Sequence, residues 1–326
     1  MYDIVSIGSA TQDVVLSADG FKIVENVDFN VGKGICLPFG SKVQIRKIVF
    51  TSGGGGTNAA VSFARQGLKT ACVGVIGSDS NGSAILDELR REGVDGKYFQ
   101  IHHDDITAYS VILLGPDGER TILSYKGEGI HWVADAIPWE RLQSKWMYVN
   151  SLGGHIDMLE HIVELAAKYG IHLATNPGPK ELELGLQRLA PLWKRFGIIG
   201  MNQEEAAALT GIAYDRPDEI FKAMDGAIGG IFIMTKGAEG VMVSDGRNLY
   251  SAGIPSKEIV ERTGSGDAFH SAFLAEFIRS GSIEKAVQLG TANATSVVMH
   301  YGAKAGILRK DDIGQWPLVL VQKRAL

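Results

Sequence analysis

The stretch Glu261-Arg262-Thr263-Gly264-Ser265-Gly266-Asp267-Ala268-Phe269 places a turn of small residues directly before a segment with helical apolar spacing. Glycines let backbone N–H groups converge without obstruction by Cβ, and the N-terminus of a helix attracts anions. The stretch therefore predicts a phosphate site, with an ionised Asp267 that can accept a proton from a hydroxyl group. A tight turn in which Ser265 or Asp267 only caps the helix is the alternative.

Upstream of this stretch, short β-branched runs alternate with amphipathic segments of helical length. The runs that predict buried strands are Ile4 to Ile7, Ala71 to Ile76, Met147 to Asn150, Ile171 to Thr175, Gly197 to Met201 and Ile231 to Thr235. Alternation of this kind is typical of parallel βαβ units with helices on both faces of the sheet. The predicted fold class is α/β, with three α/β/α layers around a central, mostly parallel sheet.

Two segments, residues 10–51 and 100–126, interrupt the alternation with successive β-rich runs. Those runs are Lys42 to Phe50, Tyr109 to Leu114 and Thr121 to Tyr125. We expect the two segments to form a small β-sheet lid over the substrate site, and residues 1–9, 52–99 and 127–326 to form the main nucleotide-binding domain. Surface loops and edge strands are the alternative. The apolar run Pro317 to Val321 predicts a packed terminal strand.

Composition and charge exclude several classes of function. The 326 residues are 45% hydrophobic with a net charge of -5, which argues against partners such as nucleic acid or an anionic membrane surface. Neither a signal peptide nor an apolar run of about 20 residues is visible. Cys36 and Cys72 lie in apolar runs and predict buried free thiols. These features favour a cytoplasmic protein.

A second glycine cluster, Ser52-Gly53-Gly54-Gly55-Gly56-Thr57-Asn58, precedes an alanine-rich helix. Four consecutive glycines are costly to order and favour close approach of the backbone to a ligand, while Asn58 offers a donor and an acceptor to a polyol. Asp13, just beyond the first strand, lies where open α/β sheets bind ligands. A flexible hinge and a simple turn residue are the alternatives.

Four motifs in this order resemble the PfkB family of carbohydrate and nucleoside kinases, which has the ribokinase-like fold, over essentially the whole chain. Gly53 to Gly67 resembles the N-terminal signature of the family and Glu261 to Asp267 its C-terminal signature. Between them, Asn202-Gln203-Glu204-Glu205 resembles the Asn-x-x-Glu motif, and Thr235 to Gly240 resembles the nucleotide-binding strand and turn. Asn202 and Glu205 also read as a capping box of a helix.

The resemblance implies an ATP-dependent kinase that transfers the γ-phosphate to a hydroxyl group of a small sugar, with Asp267 as base. It implies that the N–H groups of Gly264, Ser265 and Gly266 form an anion hole, and that Asp13, Gly53, Gly54 and Asn58 bind the substrate. The nucleotide residues would be Asn202, Glu205, Thr235, Lys236, Gly237, Gly240 and Asn293, with the adenine near Ala292 and Asn293. Glu205 would hold Mg²⁺ through water, and relatives often form homodimers through their lids.

Two residues depart from the C-terminal signature, in which Asp and Thr stand where this chain has Glu261 and Arg262. In many relatives that Asp helps to bind a monovalent cation, so Glu261 is a candidate ligand and dependence on K⁺ stays open. Arg262 is expected either to reach a phosphate oxygen or to be a solvated loop residue.

Other classes of protein fit the sequence less well. A Walker-type ATPase and a protein kinase lack their motifs here, and the first strand lacks the three-glycine fingerprint of nicotinamide dehydrogenases. A nucleoside kinase remains the first alternative, with Phe39, Ile130 or Trp132 as a wall for a base. A non-catalytic sugar-sensing relative remains the second.

Overall fold

The computed structural model describes residues 1–27, 29, 32–115, 118–256 and 258–326, without the side chains of residues 128 and 130. The α-helices are α1 (Gly55–Arg65), α2 (Ser80–Arg91), α3 (Ile156–Tyr169), α4 (Pro179–Leu182), α5 (Leu186–Trp193), α6 (Gln203–Thr210), α7 (Pro217–Ala227), α8 (Ser265–Ser280) and α9 (Ile283–Val298). In these residues, no helix combines the length and the apolar character that crossing a bilayer requires.

The strands belong to one large sheet and three smaller ones. They are β1 (Tyr2–Ile7), β2 (Thr11–Ser17), β3 (Lys22–Glu25), β4 (Lys33–Cys36), β5 (Lys47–Gly53), β6 (Thr70–Val73), β7 (Val75–Gly77), β8 (Gln100–His102), β9 (Tyr109–Leu114), β10 (Arg120–Tyr125), β11 (Ser144–Val149), β12 (His172–Thr175), β13 (Ile198–Asn202), β14 (Ile231–Thr235), β15 (Val241–Ser244), β16 (Asn248–Ala252) and β17 (Gln322–Ala325).

The large sheet has the order β17-β16-β15-β14-β13-β12-β11-β1-β6. The pairs from β6 to β14 are parallel, and β14 to β17 are antiparallel. Alternate side chains of these strands enter two separate cores, so that Val5 faces one layer of helices and Ile4 faces the other. One layer contains α3, α5 and α7, and the opposite layer contains α1, α8 and α9. The predicted three-layer α/β class is confirmed.

A second sheet of four strands, with the order β10-β9-β2-β5, stands apart from the main sheet. Its strands come from the two segments that interrupt the βα alternation. The face that carries Asp13 also carries Val15 and Ile112, which pack with Leu114 and Tyr301 in a small core of their own. The tip between β9 and β10 reaches the loop before α8, where Glu119 forms an ion pair with Arg262 at 2.8 Å.

Three local predictions were wrong. The run Ala71 to Ile76 is not one strand, because the chain leaves the main sheet at Gly74 and β7 pairs with β8 instead. The run Pro317 to Val321 packs against the core through Val319 and Val321 without forming a strand, and pairing with β16 begins only at Gln322. Cys36 is exposed rather than buried, because β3 and β4 form a separate hairpin, while Cys72 is buried as predicted.

Candidate active site

A cleft of about 840 Å³ lies along the carboxyl edge of the parallel strands. Ser9 follows β1, Asn150 follows β11, Asn176 follows β12, and Asn202 and Thr235 end β13 and β14; all five line the cleft. Parallel strands end at a common edge, which is where open α/β sheets bind ligands. The fold thus collects polar side chains from distant positions of the chain along one wall.

The N-terminus of α8 forms the floor of this cleft through Gly264, Ser265, Gly266 and Asp267. Gly264 is the N-cap residue, and within the described chain no side chain caps the helix. The Ser265 hydroxyl donates instead to the Arg262 carbonyl at 3.1 Å. The alternative in which Ser265 or Asp267 caps α8 is therefore not what the structure shows. The first N–H groups of a helix have no acceptor within the helix, so this end is available to an anion.

Asp267 is half-buried and is held by two side-chain amides. Asn58 Nδ2 donates to its Oδ2 at 2.9 Å, and Asn150 Nδ2 donates to its Oδ1 at 3.3 Å. Burial raises the pKa of Asp267, and the two amides and the charge of Lys304 oppose that effect. The result is a carboxylate of fixed orientation that is more basic than an ordinary Asp and therefore better suited to accept a proton.

The glycine cluster packs against the side chains of Asp13 and Asn150. A Cβ at Gly53 would lie 2.6 Å from Asp13 Cγ, and a Cβ at Gly55 would lie 2.5 Å from Asn150 Nδ2. Only glycine leaves room for these two side chains. Asp13 is buried, accepts a hydrogen bond from the Thr11 hydroxyl at 3.0 Å, and has a pKa raised mainly by its burial. The structure therefore brings Asp13, Gly53, Gly54 and Asn58 into one cluster that reaches Asp267 through Asn58.

Asn202 and Glu205 begin α6 and line the same cleft. They form the predicted capping box, in which Asn202 Oδ1 accepts from the Glu205 N–H at 2.8 Å and the Glu205 carboxylate accepts from the Asn202 N–H at 2.9 Å. Burial, together with the charges of Glu204 and Asp267, raises the pKa of Glu205. In the described residues no group of three His, Cys, Asp or Glu side chains is arranged for a metal. The oxygens at this helix start suit a hydrated Mg²⁺ better than a fully dehydrated ion.

A second, mostly apolar cavity of about 140 Å³ adjoins the cleft. Thr235 and Gly237 line both spaces, as do Ser265 and Gly266, whereas Gly240 lines only the second. Lys236 lines the cleft and forms an ion pair with Glu239 at 2.8 Å. The N-terminus of α8 therefore lies where an apolar cavity meets a polar cleft.

The expected position of Asn293 needs correction. This side chain is fully buried, donates to the Ala268 carbonyl and accepts from the Leu308 N–H, both at 2.8 Å, so it joins α8 and the C-terminal loop to α9. Its neighbour Ala292 is likewise buried. The residues of α9 that do face the apolar cavity are Thr291, Ala294, Thr295 and Val298.

Glu261 and Arg262 have different surroundings. Glu261 is completely buried and accepts from the Gly302 N–H at 2.7 Å, while its Oε1 and the Thr263 hydroxyl have no hydrogen-bond partner in the described part of the molecule. Buried oxygens without hydrogen-bond partners are suited to act as ligands of a cation. Arg262 is not a simply solvated loop residue, because it lines both cavities and is paired with Glu119, between β9 and β10.

Two residues of this site do not stand out in the sequence. Asn150 is a single polar residue after a strand, and only the rule that ligands bind at carboxyl strand ends would have indicated it. Lys304 lies in the small-residue string Gly302-Ala303-Lys304-Ala305-Gly306, which reads as an exposed turn. Nothing local to that string indicates that its lysine is buried against the glycine cluster.

Comparison with known proteins agrees with this geometry. Residues 1–310 match the model of the pfkB family carbohydrate kinases. A ribokinase of Haemophilus influenzae is 28% identical over 262 residues, covering 78% of this chain and 83% of that protein. A cytidine kinase of Thermococcus kodakarensis is 29% identical over 262 residues, covering 77% and 88%. The structure of an Arabidopsis thaliana ribokinase complexed with ribose and ATP superposes with a TM-score of 0.76 at 21% identity, covering 96% and 97%.

Relatives that phosphorylate hydroxyl groups and a family match that spans nearly the whole sequence lead to one assignment: the chain belongs to the pfkB family and is a kinase of the sugar and nucleoside type.

Proposed function

We propose that this protein transfers the γ-phosphate of ATP to a hydroxyl group of a small sugar or sugar derivative, with Asp267 as the base. The observation that carries the proposal is the position of Asp267, which lies at the uncapped N-terminus of α8 and is bound to Asn58 of the glycine cluster. A phosphate at the helix end and a hydroxyl at the cluster would therefore meet at one carboxylate.

In this proposal the base of ATP occupies the apolar cavity and its phosphates cross the N-terminus of α8 into the cleft. Gly237 and Gly240 support this placement, because they line the apolar cavity and Gly237 also lines the cleft. Thr291, Ala294 and Thr295 replace Asn293 as the proposed contacts from α9. Asn202 and Glu205 would hold Mg²⁺ through water, and the ion when bound neutralises charge on the phosphates.

The chemistry proposed for the residues of this chain is a direct in-line transfer. Asp267 orients the acceptor hydroxyl and takes its proton as the oxygen attacks the γ-phosphorus, and the bond from the γ-phosphorus to the β–γ bridging oxygen breaks to release ADP. The N–H groups at Gly264, Ser265 and Gly266 stabilise the charge on the transferred group. The lid, which already contacts the loop before α8 through Glu119, would exclude water that otherwise competes as acceptor.

The surroundings of Asp13 favour a polyol over a nucleoside as acceptor. Asp13 and Asn58 are buried polar side chains, which suits recognition of hydroxyl groups. Of the residues considered as a wall for a base, Phe39 is fully exposed and Trp132 is buried in the main core. The side chain of residue 130 lies outside the described part of the chain. Nucleosides remain the second class to test, because one relative carries the name cytidine kinase.

The outer face of the lid supports a homodimer. Phe50 lies opposite Val14, and Val111 lies between Val14 and Leu123, so these side chains share one face of the four-stranded sheet. Phe50 is 67% exposed and Leu123 is 56% exposed. An apolar sheet face of this kind is suited to contact with a second copy. We also propose that Glu261 helps to bind K⁺, since its Oε1 is buried without a partner among the described residues.

An ADP-release assay over pentoses, hexoses, their monophosphates, polyols and nucleosides tests the function. With the best acceptor, Asp267→Asn should lower kcat by about 100-fold or more while the Kd for ATP stays within a few fold, because general-base catalysis contributes about 10²–10⁴. Asp3→Asn, which alters a carboxylate at the start of β1, is the matched control. An Asp267→Asn enzyme with normal kcat would refute the mechanism.

A further inference from the structure

Lys304 is a buried lysine that the proposed phosphate transfer does not use. It is 2% exposed and lies in the turn after α9. Its Nζ donates to the Ser52 carbonyl at 2.9 Å, to the Ser52 hydroxyl at 2.6 Å and to the Thr57 hydroxyl at 2.9 Å. An ammonium group has three hydrogens, and all three have acceptors here. Because a buried charge without partners is very costly, this arrangement fixes the positions of both partner residues.

The two residues that Lys304 holds lie on either side of the four glycines. Ser52 immediately precedes Gly53, and Thr57 lies between Gly56 and Asn58. The Thr57 hydroxyl donates in turn to the Gly53 carbonyl at 2.7 Å. A single ammonium therefore holds both ends of a loop whose glycines would otherwise leave it free to move. Asn58, which follows Thr57, is the residue that donates to Asp267.

The charge of Lys304 also lies among carboxylates of the proposed site. The groups that interact with it electrostatically include Glu88, Asp13, Cys72 and Asp267, and also Glu92, the ion-pair partner of Arg65. Glu88 additionally accepts a hydrogen bond from the Ser52 hydroxyl. Burial lowers the pKa of Lys304, and the carboxylates among these groups oppose that effect. In return, Lys304 lowers the pKa of Asp13 and of Asp267. The other titratable groups that sense the charge of Asp267 are Glu205 and Tyr148.

We propose that Lys304 is a positioning residue for the acceptor. It holds the ends of the glycine loop so that Gly53, Gly54 and Asn58 can contact the acceptor. Its positive charge also interacts with the carboxylates of Asp13 and Asp267. The inference rests on the proposed kinase function. It also explains how a loop with four consecutive glycines is held in one conformation.

The test compares Lys304→Met with Arg65→Met. Arg65 anchors the same C-terminal turn, since its Nη1 donates to the carbonyls of Lys304 and Ile307 at 2.8 and 3.0 Å, and it forms an ion pair with Glu92. Loss of Arg65 should lower the thermal midpoint while leaving the pH profile unchanged. Loss of Lys304 should raise the KM of the acceptor at least tenfold, leave the KM of ATP within twofold, and move the acid limb of kcat/KM to higher pH.

Thr57→Val tests the hydrogen bonds of the glycine loop while the charge of Lys304 is retained. It also provides a second variant if Lys304→Met does not fold. It removes one acceptor of the ammonium and the bond to Gly53, so the KM of the acceptor should rise without movement of the acid limb; Thr57→Ser should restore it. Equal changes in the KM of ATP and acceptor, or a Thr57→Val variant with an unaltered acceptor KM, would overturn the inference. A wild-type protein that phosphorylates no acceptor would instead refute the kinase proposal.

Discussion

Gly55→Ala tests whether the orientation of Asp267 depends on Asn150. Gly55 begins α1, and its φ is not among those in the left-handed region, so the backbone accepts alanine. The new Cβ would lie 2.5 Å from Asn150 Nδ2, whereas ordinary contact begins at 3.4 Å. Because Oδ1 and Cγ of Asn150 lie closer still to this Cβ, the side chain must retreat by more than about 0.9 Å. Its bond to Asp267 is already 3.3 Å long and does not survive such a movement.

The magnitude follows from the kind of bond that is lost. Hydrogen bonds to charged groups contribute about 1.5–3 kcal/mol, and a bond as long as this one belongs at the low end. About 1.4 kcal/mol corresponds to a tenfold change, so kcat/KM for the acceptor should fall by about tenfold. The Kd of ATP should not change, because Asn150 acts on Asp267 and not on the apolar cavity.

The assay is coupled ADP release with the acceptor varied, for Gly55→Ala, Asn150→Ala and the double variant. Each single variant removes the same hydrogen bond, so the double variant should be no worse than either alone. Gly226→Ala is the matched control, because a Cβ there meets no atom within 4 Å and alanine suits the helix interior. Wild-type activity in Gly55→Ala, or losses that multiply in the double variant, would refute the reasoning.

Three further predictions concern other features. Because burial raises the pKa of Asp267 and the base works as a carboxylate, activity should be lost as the pH falls through a midpoint above the ordinary Asp value of about 4, and a pH–rate profile locates that midpoint. Asn293→Ala leaves the buried Leu308 N–H without its acceptor and removes one donor to the Ala268 carbonyl, so it should cost about 1–3 kcal/mol in denaturant unfolding while the KM of ATP is unchanged. Phe50→Lys with Leu123→Lys should abolish a dimer in light scattering, whereas Tyr169→Lys at the exposed C-terminal end of α3 should not.

The fold was largely predictable because its signals are local. A buried parallel strand such as β14 is a continuous apolar run, and β14 has the predicted bounds. The errors occur where neighbours decide the outcome. Gly74 redirects the chain into the two-stranded sheet of β7 and β8. The exposure of the apolar residues around Cys36 depends on the position of the hairpin of β3 and β4. Propensity alone contains no information about either contact.

In the proposed site, too, local features were predictable from the sequence and long-range contacts were not. The turn before α8 and the capping box at Asn202 are local structures, and the sequence indicates both. Asn150 and Lys304 act across long separations, and a single Asn or Lys has many ordinary uses on a surface. Asn293 illustrates the opposite error. The sequence predicts that its amide contacts the nucleotide, whereas in the structure the amide is bonded to Ala268 and Leu308 and links α9 to α8 and the C-terminal loop.

The proposed donor and acceptor sides differ in how their elements are held together. The proposed donor side is built from adjacent strand ends and the start of α8, whose relative positions are fixed by sheet pairing. The proposed acceptor side joins β2, the glycine loop, β11 and the turn that carries Lys304. These elements come from different parts of the fold and are held together largely by individual side-chain contacts. Small shifts in any of them therefore change how a hydroxyl group is presented, while the donor side stays in place. We expect acceptor preference to respond to residues that are not among the proposed acceptor contacts, such as Gly55 and Lys304, and preference for ATP to remain unaffected by the same changes.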